Sequence, residues 1–217
     1  MVEVAEMTEA EEKNFTDNEL TANEREAIAH ALLSNSPWTH KNFDNPIKAN
    51  LEAAKNKIKA YHLEKANFKC CYCRRSLQDA NIETDREHIV PKAVFKSLTY
   101  NIFNLSVSCK RCNMQYKKER VDHIVDHTTI ETDLRNPDRY LIPHPNIDNY
   151  VDHLVRTSLQ HDDGEITTYR LITEKGRFLY NFVRLDRLCV NEIDAAQGGE
   201  KVNEIIAEIF KLPIEGA

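Results

Sequence analysis

Helical spacing becomes readable at residue 21 and is lost again near residue 66. Thr21 followed by Glu24 fits a capping box, in which each side chain accepts from the other residue's backbone N–H. Ile28, Ala31 and Leu32 then form one apolar face, and Ser34-Asn35-Ser36-Pro37 ends that helix. A second helix is expected from about Pro46, with Leu51, Ala54, Ile58 and Tyr61 at three- and four-residue spacing. From 66 to 120 the period gives way to short segments punctuated by Cys, Pro and Asn, as in a chain organised by metal ligands rather than by a broad core. The pattern there predicts a knuckle at Cys70–Cys73, a strand over 84–89 and a loop from Pro91 to Phe103. A strand over 104–108, a second knuckle at 109–112 and a helix from Asn113 complete a compact ββα unit. Beyond it, Asn136-Pro137 and Pro143-His144-Pro145 mark loops. Alternation at 154–157 and 166–172, around Asp162-Asp163-Gly164, predicts a hairpin, and helices are expected over about 176–188 and 191–210. Residues 1–19 show no apolar periodicity and read as a flexible arm, disordered or loosely helical. The chain thus divides into that arm, a helical region at 20–64, a core at 65–120 and an α/β extension at 121–217, in the α+β class.

Composition adds constraints. With 217 residues, 41% hydrophobic and 29% charged, the chain can bury a real core. No apolar run approaches the roughly 20 residues that span a bilayer. The acidic start is unlike a secretory signal, so no membrane association and a cytoplasmic location are expected. In that reducing compartment six cysteines point to metal binding or free thiols rather than a disulfide framework. The net charge of −6 argues against a nucleic-acid partner until its distribution is read. Residues 1–19 hold seven acids against Lys13 alone and account for all of it. Residues 65–120 carry twelve bases and five acids, a surplus of seven.

The cysteines fall in that same basic stretch. Cys70-Cys71-Tyr72-Cys73 and Cys109-Lys110-Arg111-Cys112 are two CxxC pairs whose spacing lets two knuckles converge on one tetrahedral zinc. Cys71 and Cys189 fit no pair and read as structural thiols. Four thiolates saturate the ion and leave no place for water, so this zinc is structural and the chemistry must lie elsewhere.

Glu87-His88-Ile89-Val90-Pro91, with Asn104 before the second knuckle and Asn113 after it, supplies candidates. Together with the Lys69–Arg75 knuckle, the Ser108–Asn113 run and Lys117 one turn later, this order resembles the HNH, or ββα-metal, endonuclease family over about 50 of the 217 residues. The resemblance implies a ββα-metal core with a structural four-cysteine zinc site (Cys70, Cys73, Cys109, Cys112), flanked by N-terminal helices and a C-terminal hairpin plus helices. It implies DNA as substrate and His88 as the base that activates water. Glu87 and Asn113 would be ligands of a catalytic Mg²⁺ or Mn²⁺, and Asn104 would brace the loop and orient His88. Asn113 stands where the family often has His, as in the HNN form. Its neutral oxygen suits Mg²⁺. Glu87 stands where Asp is common. Lys92, Arg111, Lys117 and Lys118 are candidate phosphate contacts.

Asp122-His123-Ile124-Val125 repeats the local pattern, and His123 with His127 has metal-ligand spacing. Lacking the Pro and the later Asn residues, it reads as structural helix or linker. The flanks, from IVPKAVF through Leu185-Asp186-Arg187-Leu188, resemble HNH subunits of retron- and Septu-type antiphage systems, which implies an ABC- or SMC-like ATPase partner. The competing readings are a non-catalytic zinc ribbon that binds nucleic acid and an assembly module; neither needs Glu87, His88, Asn104 and Asn113 as a set.

Overall fold

A computed structural model describes residues 6–78, 83–161 and 164–189. The capping box forms as its sequence requires: Glu24 N–H donates to Thr21 Oγ1 at 3.2 Å and Thr21 N–H to Glu24 Oε2 at 2.8 Å. It opens α2 (Ala22–Leu32), which packs against α3 (Ile47–Lys65) through Ala27, Ala31, Leu51, Ala54 and Ile58.

Residues 6–19, part of the segment expected to be a flexible arm, are packed instead. Helix α1 (Glu9–Asn14) runs into a wider turn over Phe15–Glu19, and Met7, Phe15 and Leu20 are buried with α2 and α3. The wide winding explains why periodicity missed it: Leu20 N–H closes on Phe15 carbonyl, five residues back, which brings Leu20 over Phe15. Arg135 ties the segment down by donating to Met7 carbonyl at 2.8 Å and pairing with Glu12.

Strands β1 (Thr84–His88) and β2 (Leu105–Cys109) form an antiparallel hairpin with Glu87 opposite Ser106 and His88 opposite Leu105. Every residue of β2 is buried, because the strand lies between two cores. Leu105 belongs to the one built on the N-terminal helices, and Val107 to the one built on the knuckles and the C-terminal region. Helix α3 braces β1 from outside: Arg86 Nε donates to Lys55 carbonyl at 2.7 Å, and Lys59 Nζ to Thr84 carbonyl at 2.9 Å.

After the ββα unit, one helical turn, α4 (Tyr150–His153), leads into the expected hairpin of β3 (Leu154–His161) and β4 (Gly164–Leu171). Helix α5 (Glu174–Phe182) is shorter than the expected 176–188. Arg184, in the left-handed region at φ 51°, breaks it from a short turn at Leu185–Leu188. The helix expected over 191–210 lies outside the described residues. Tyr150 and Tyr169 hydroxyls donate to the carbonyls of Tyr72 and Cys73, so the extension packs on the first knuckle. No helix among the described residues is long and apolar enough to cross a membrane.

Buried histidines set how this fold responds to acid. Burial pushes His62 and His123 down to about 3, and His144 well below its ordinary value. Lowered pKa values favour the neutral rings, so their contribution is complete above about pH 6.5 and is lost as pH falls toward 3, when the unfolded chain takes up the protons. His62→Gln is expected to lower the proton uptake on unfolding near pH 5 by about one, which is about 1.4 kcal/mol less stability lost per pH unit. Denaturant titrations from pH 5 to 8 read this directly; equal slopes for both proteins would refute it.

Candidate active site and metal centre

Two tight turns bring the cysteine pairs together at one end of the hairpin. Arg74, at φ 58°, closes the first, with its N–H on Cys70 carbonyl at 2.9 Å. Cys71 N–H donates to Val107 carbonyl at 3.0 Å, docking that knuckle on β2, and Cys109 N–H points at Cys70 Sγ from 3.4 Å. The ligand atoms of Cys70, Cys73, Cys109 and Cys112 all lie within 4.8 Å of one another, buried. Thiolates about 2.3 Å from a tetrahedral zinc stand about 3.8 Å apart, and Cys73 Sγ is 3.8 Å from Cys109 Sγ. The cluster could therefore hold zinc, with no position left for water.

At the hairpin's other end β1 delivers His88 to a cavity of about 640 Å³ that Glu87 and Asn113 also line. His88 Nε2 lies 3.0 Å from Thr99 carbonyl. A carbonyl only accepts, so the proton sits on Nε2 and Nδ1 keeps its lone pair. Trp38 packs edge-on against the ring, centroids 4.6 Å apart. Burial, reinforced by Lys92, lowers the imidazole to about 3 and keeps it neutral. Such a ring can take a proton at Nδ1.

Glu87 is 1% exposed. Its Oε1 is 3.4 Å from Lys117 Nζ, while its buried Oε2 has no hydrogen-bond partner. Burial pushes its carboxyl up to about 7, against the pull of Lys117. Asn113 stands in the wide helical turn Arg111–Lys117, where Lys118 N–H reaches back five residues to Asn113 carbonyl at 2.7 Å. Its Nδ2 donates to Asp85 Oδ2 at 3.1 Å, which leaves Oδ1 as the acceptor it can offer elsewhere. Glu87 and Asn113 both line the cavity, and a carboxylate and an amide oxygen are donor types that a hard divalent cation takes. Asn104 does not line the cavity. Its Oδ1 accepts Val90 N–H at 2.8 Å and its Nδ2 donates to Val90 carbonyl at 3.0 Å, clasping the turn after His88.

The basic candidates divide. Lys92 and Lys118 are exposed at the cavity rim. Lys117 is fully buried, bonded to His88 carbonyl at 3.1 Å and paired with Glu87, so the expectation that it meets phosphate is corrected. Arg111 is likewise spent within the fold: its guanidinium lies over Tyr116 and donates to Val183 carbonyl at 3.2 Å and Arg184 carbonyl at 2.6 Å. His123 is a buried structural residue in a non-helical linking turn, within the helix-or-linker expectation, with Nε2 2.9 Å from Ile89 carbonyl. Sequence reasoning missed Asp85, which period two places on the face of Glu87, and Trp38 and Thr99, which carry no local signal.

This hairpin, sulfur cluster and cavity define a ββα-metal unit. Residues 70–119 match the family model described as HNH endonuclease, and the chain carries an HNH domain there. The Septu protein PtuB of Bacillus thuringiensis is 43% identical to this chain over 56 residues, which cover 26% of this chain and 22% of that protein. The family match supports nuclease activity in general.

One zinc per chain is expected in purified protein, released by a mercurial and measured colorimetrically. Cys109→Ser is expected to lose it together with the hairpin's amide protection, whereas Cys71→Ala retains it. Full zinc in Cys109→Ser would contradict the four-sulfur assignment.

Proposed function

We propose that the chain is a metal-dependent endonuclease that hydrolyses DNA phosphodiester bonds, with His88 as general base. The observation that carries this reading is the fixed tautomer: Thr99 carbonyl holds the Nε2 proton while the same ring lines the cavity shared with Glu87 and Asn113. His88 Nδ1 takes a proton from water, the water oxygen bonds to phosphorus, and the bond to the 3′ oxygen breaks. Burial keeps the free imidazole neutral but weakens it as a base; the negative charge of a bound phosphate beside it would raise its pKa toward the working range. Mg²⁺ or Mn²⁺ held by Glu87 and Asn113 would neutralise charge on the phosphate and the departing oxygen. Lys92 and Lys118 at the rim meet flanking phosphates. Zinc at the four cysteines keeps the hairpin folded and takes no part in the chemistry.

The likeness to the Septu protein PtuB, with the flanking resemblance to retron- and Septu-type HNH subunits, supports a role in antiphage defence. The same resemblance supports an ABC- or SMC-like ATPase partner and a cytoplasmic setting.

Supercoiled plasmid incubated with Mg²⁺ or Mn²⁺ tests the reaction, with the ATPase partner supplied in a parallel arm. Wild type is expected to cut; His88→Ala is expected to lose at least about 100-fold in rate, the scale of general-base catalysis, with zinc content unchanged. Equal cleavage by both proteins would sink the mechanism. Binding without cleavage in either arm would favour the non-catalytic zinc-ribbon reading. Lys92→Ala and Lys118→Ala are each expected to reduce the slope of log affinity against log salt by about 1.

A further inference from the structure

Where the chain leaves β1, three successive peptide planes are each pinned by partners from elsewhere. In the first, His88 carbonyl accepts from Lys117 Nζ at 3.1 Å, and Ile89 N–H donates to Asn104 carbonyl at 2.9 Å. In the second, Ile89 carbonyl is 2.9 Å from His123 Nε2, and Val90 N–H donates to Asn104 Oδ1 at 2.8 Å. In the third, Val90 carbonyl accepts from Asn104 Nδ2 at 3.0 Å. A peptide unit is rigid, so each partner that holds one of its ends narrows the rotation left to it and to the units it adjoins.

Asn104 belongs to the family pattern, and Lys117 also serves Glu87. His123 has neither reason to be there and lies outside residues 70–119. It is fully buried, its ring 5.1 Å from that of Phe182, and its Nδ1 has no hydrogen-bond partner. An aromatic hydrocarbon would fill that space without the cost of desolvating an imidazole. What the imidazole supplies is the proton on Nε2 for Ile89 carbonyl.

We infer that His123 is a positioning residue for His88: by holding Ile89 carbonyl it locks the second peptide plane and so the direction in which the His88 ring leaves the strand. The inference rests on His88 being the base. Without His123 the plane is held from one side only, through Asn104, and the ring can turn away from Thr99 carbonyl.

His123→Phe removes the donor and keeps a ring against Phe182; His123→Gln restores an N–H. Cleavage by His123→Phe is expected to fall roughly 10- to 100-fold in kcat, the usual scale for a group that orients a reacting one, with KM and zinc content unchanged, and His123→Gln is expected to recover most of it. Side-chain ¹⁵N spectra of zinc-loaded, magnesium-free protein should show His88 as the single Nε2–H tautomer in wild type and a mixture in His123→Phe. Those spectra are readable even if wild type cuts nothing, so they separate failure of this inference from failure of the nuclease reading. Wild-type kcat in His123→Phe, or an unchanged His88 tautomer there, would overturn the inference. Should that variant not fold, the unaltered protein still decides: a proton on His123 Nδ1 rather than Nε2 overturns it, and one on Nε2 upholds it.

Discussion

Four sulfur atoms within 4.8 Å of one another are the constraint on which the site depends. Strands of five residues joined by a long loop bury too little to pair on their own. Here the first knuckle docks on β2 through Cys71, and the second is the direct continuation of β2. Gathering the sulfurs fixes both strands, the start of the helical turn and the exit of β1 in a single step. A metal in that cluster contributes its binding free energy to folding, because the unfolded chain has no such site. The short hairpin can then devote its other end to polar groups a hydrocarbon core would reject.

Those groups are numerous and mostly satisfied. Lys117 and Glu87 are both buried, and taking two charges out of water costs several kcal/mol for each. The pair is tolerable because Lys117 also reaches the carbonyls of His88 and Lys118, at 3.1 and 3.2 Å, and so meets three oxygens. Glu87 Oε2 makes no hydrogen bond, although the Tyr72 hydroxyl beside the carboxyl, itself without a partner, helps to hold the charge. A buried carboxylate oxygen without a hydrogen bond is costly, and burial accordingly pushes the Glu87 carboxyl up to about 7.

Motifs whose chemistry is local were legible in the sequence. The Thr21–Glu24 box, the paired CxxC knuckles, the β3–β4 alternation and the ordered Glu87, His88, Asn104 and Asn113 each announce themselves within a few residues, and the structure gathers Glu87, His88 and Asn113 at one cavity with Asn104 behind them. What stayed hidden depends on tertiary packing. The acidic start looked loose because Met7, Phe15 and Leu20 align only when the turn widens to five residues. Lys117 and Arg111 looked like phosphate contacts because basic residues usually face water; only the fold shows that both are turned inward onto carbonyls. Trp38 reaches His88 from a loop that nothing in its own neighbourhood marks.

Asn at position 113 makes physical sense in this setting. A histidine there would offer a softer nitrogen ligand, and one ring nitrogen would need a partner behind it. Asn113 solves the orientation with Asp85: Nδ2 donates to that carboxylate, so the amide cannot flip without facing oxygen with oxygen. Its carbonyl oxygen is thereby aimed away from Asp85, and the carboxylate behind makes it a stronger donor by polarising the amide. At the same cavity the device recurs in another form, with Thr99 carbonyl fixing which nitrogen of His88 holds the proton. In both cases an acceptor-only group behind the side chain decides which atom is presented in front. That is why the arrangement can hold its chemical polarity before any ligand arrives.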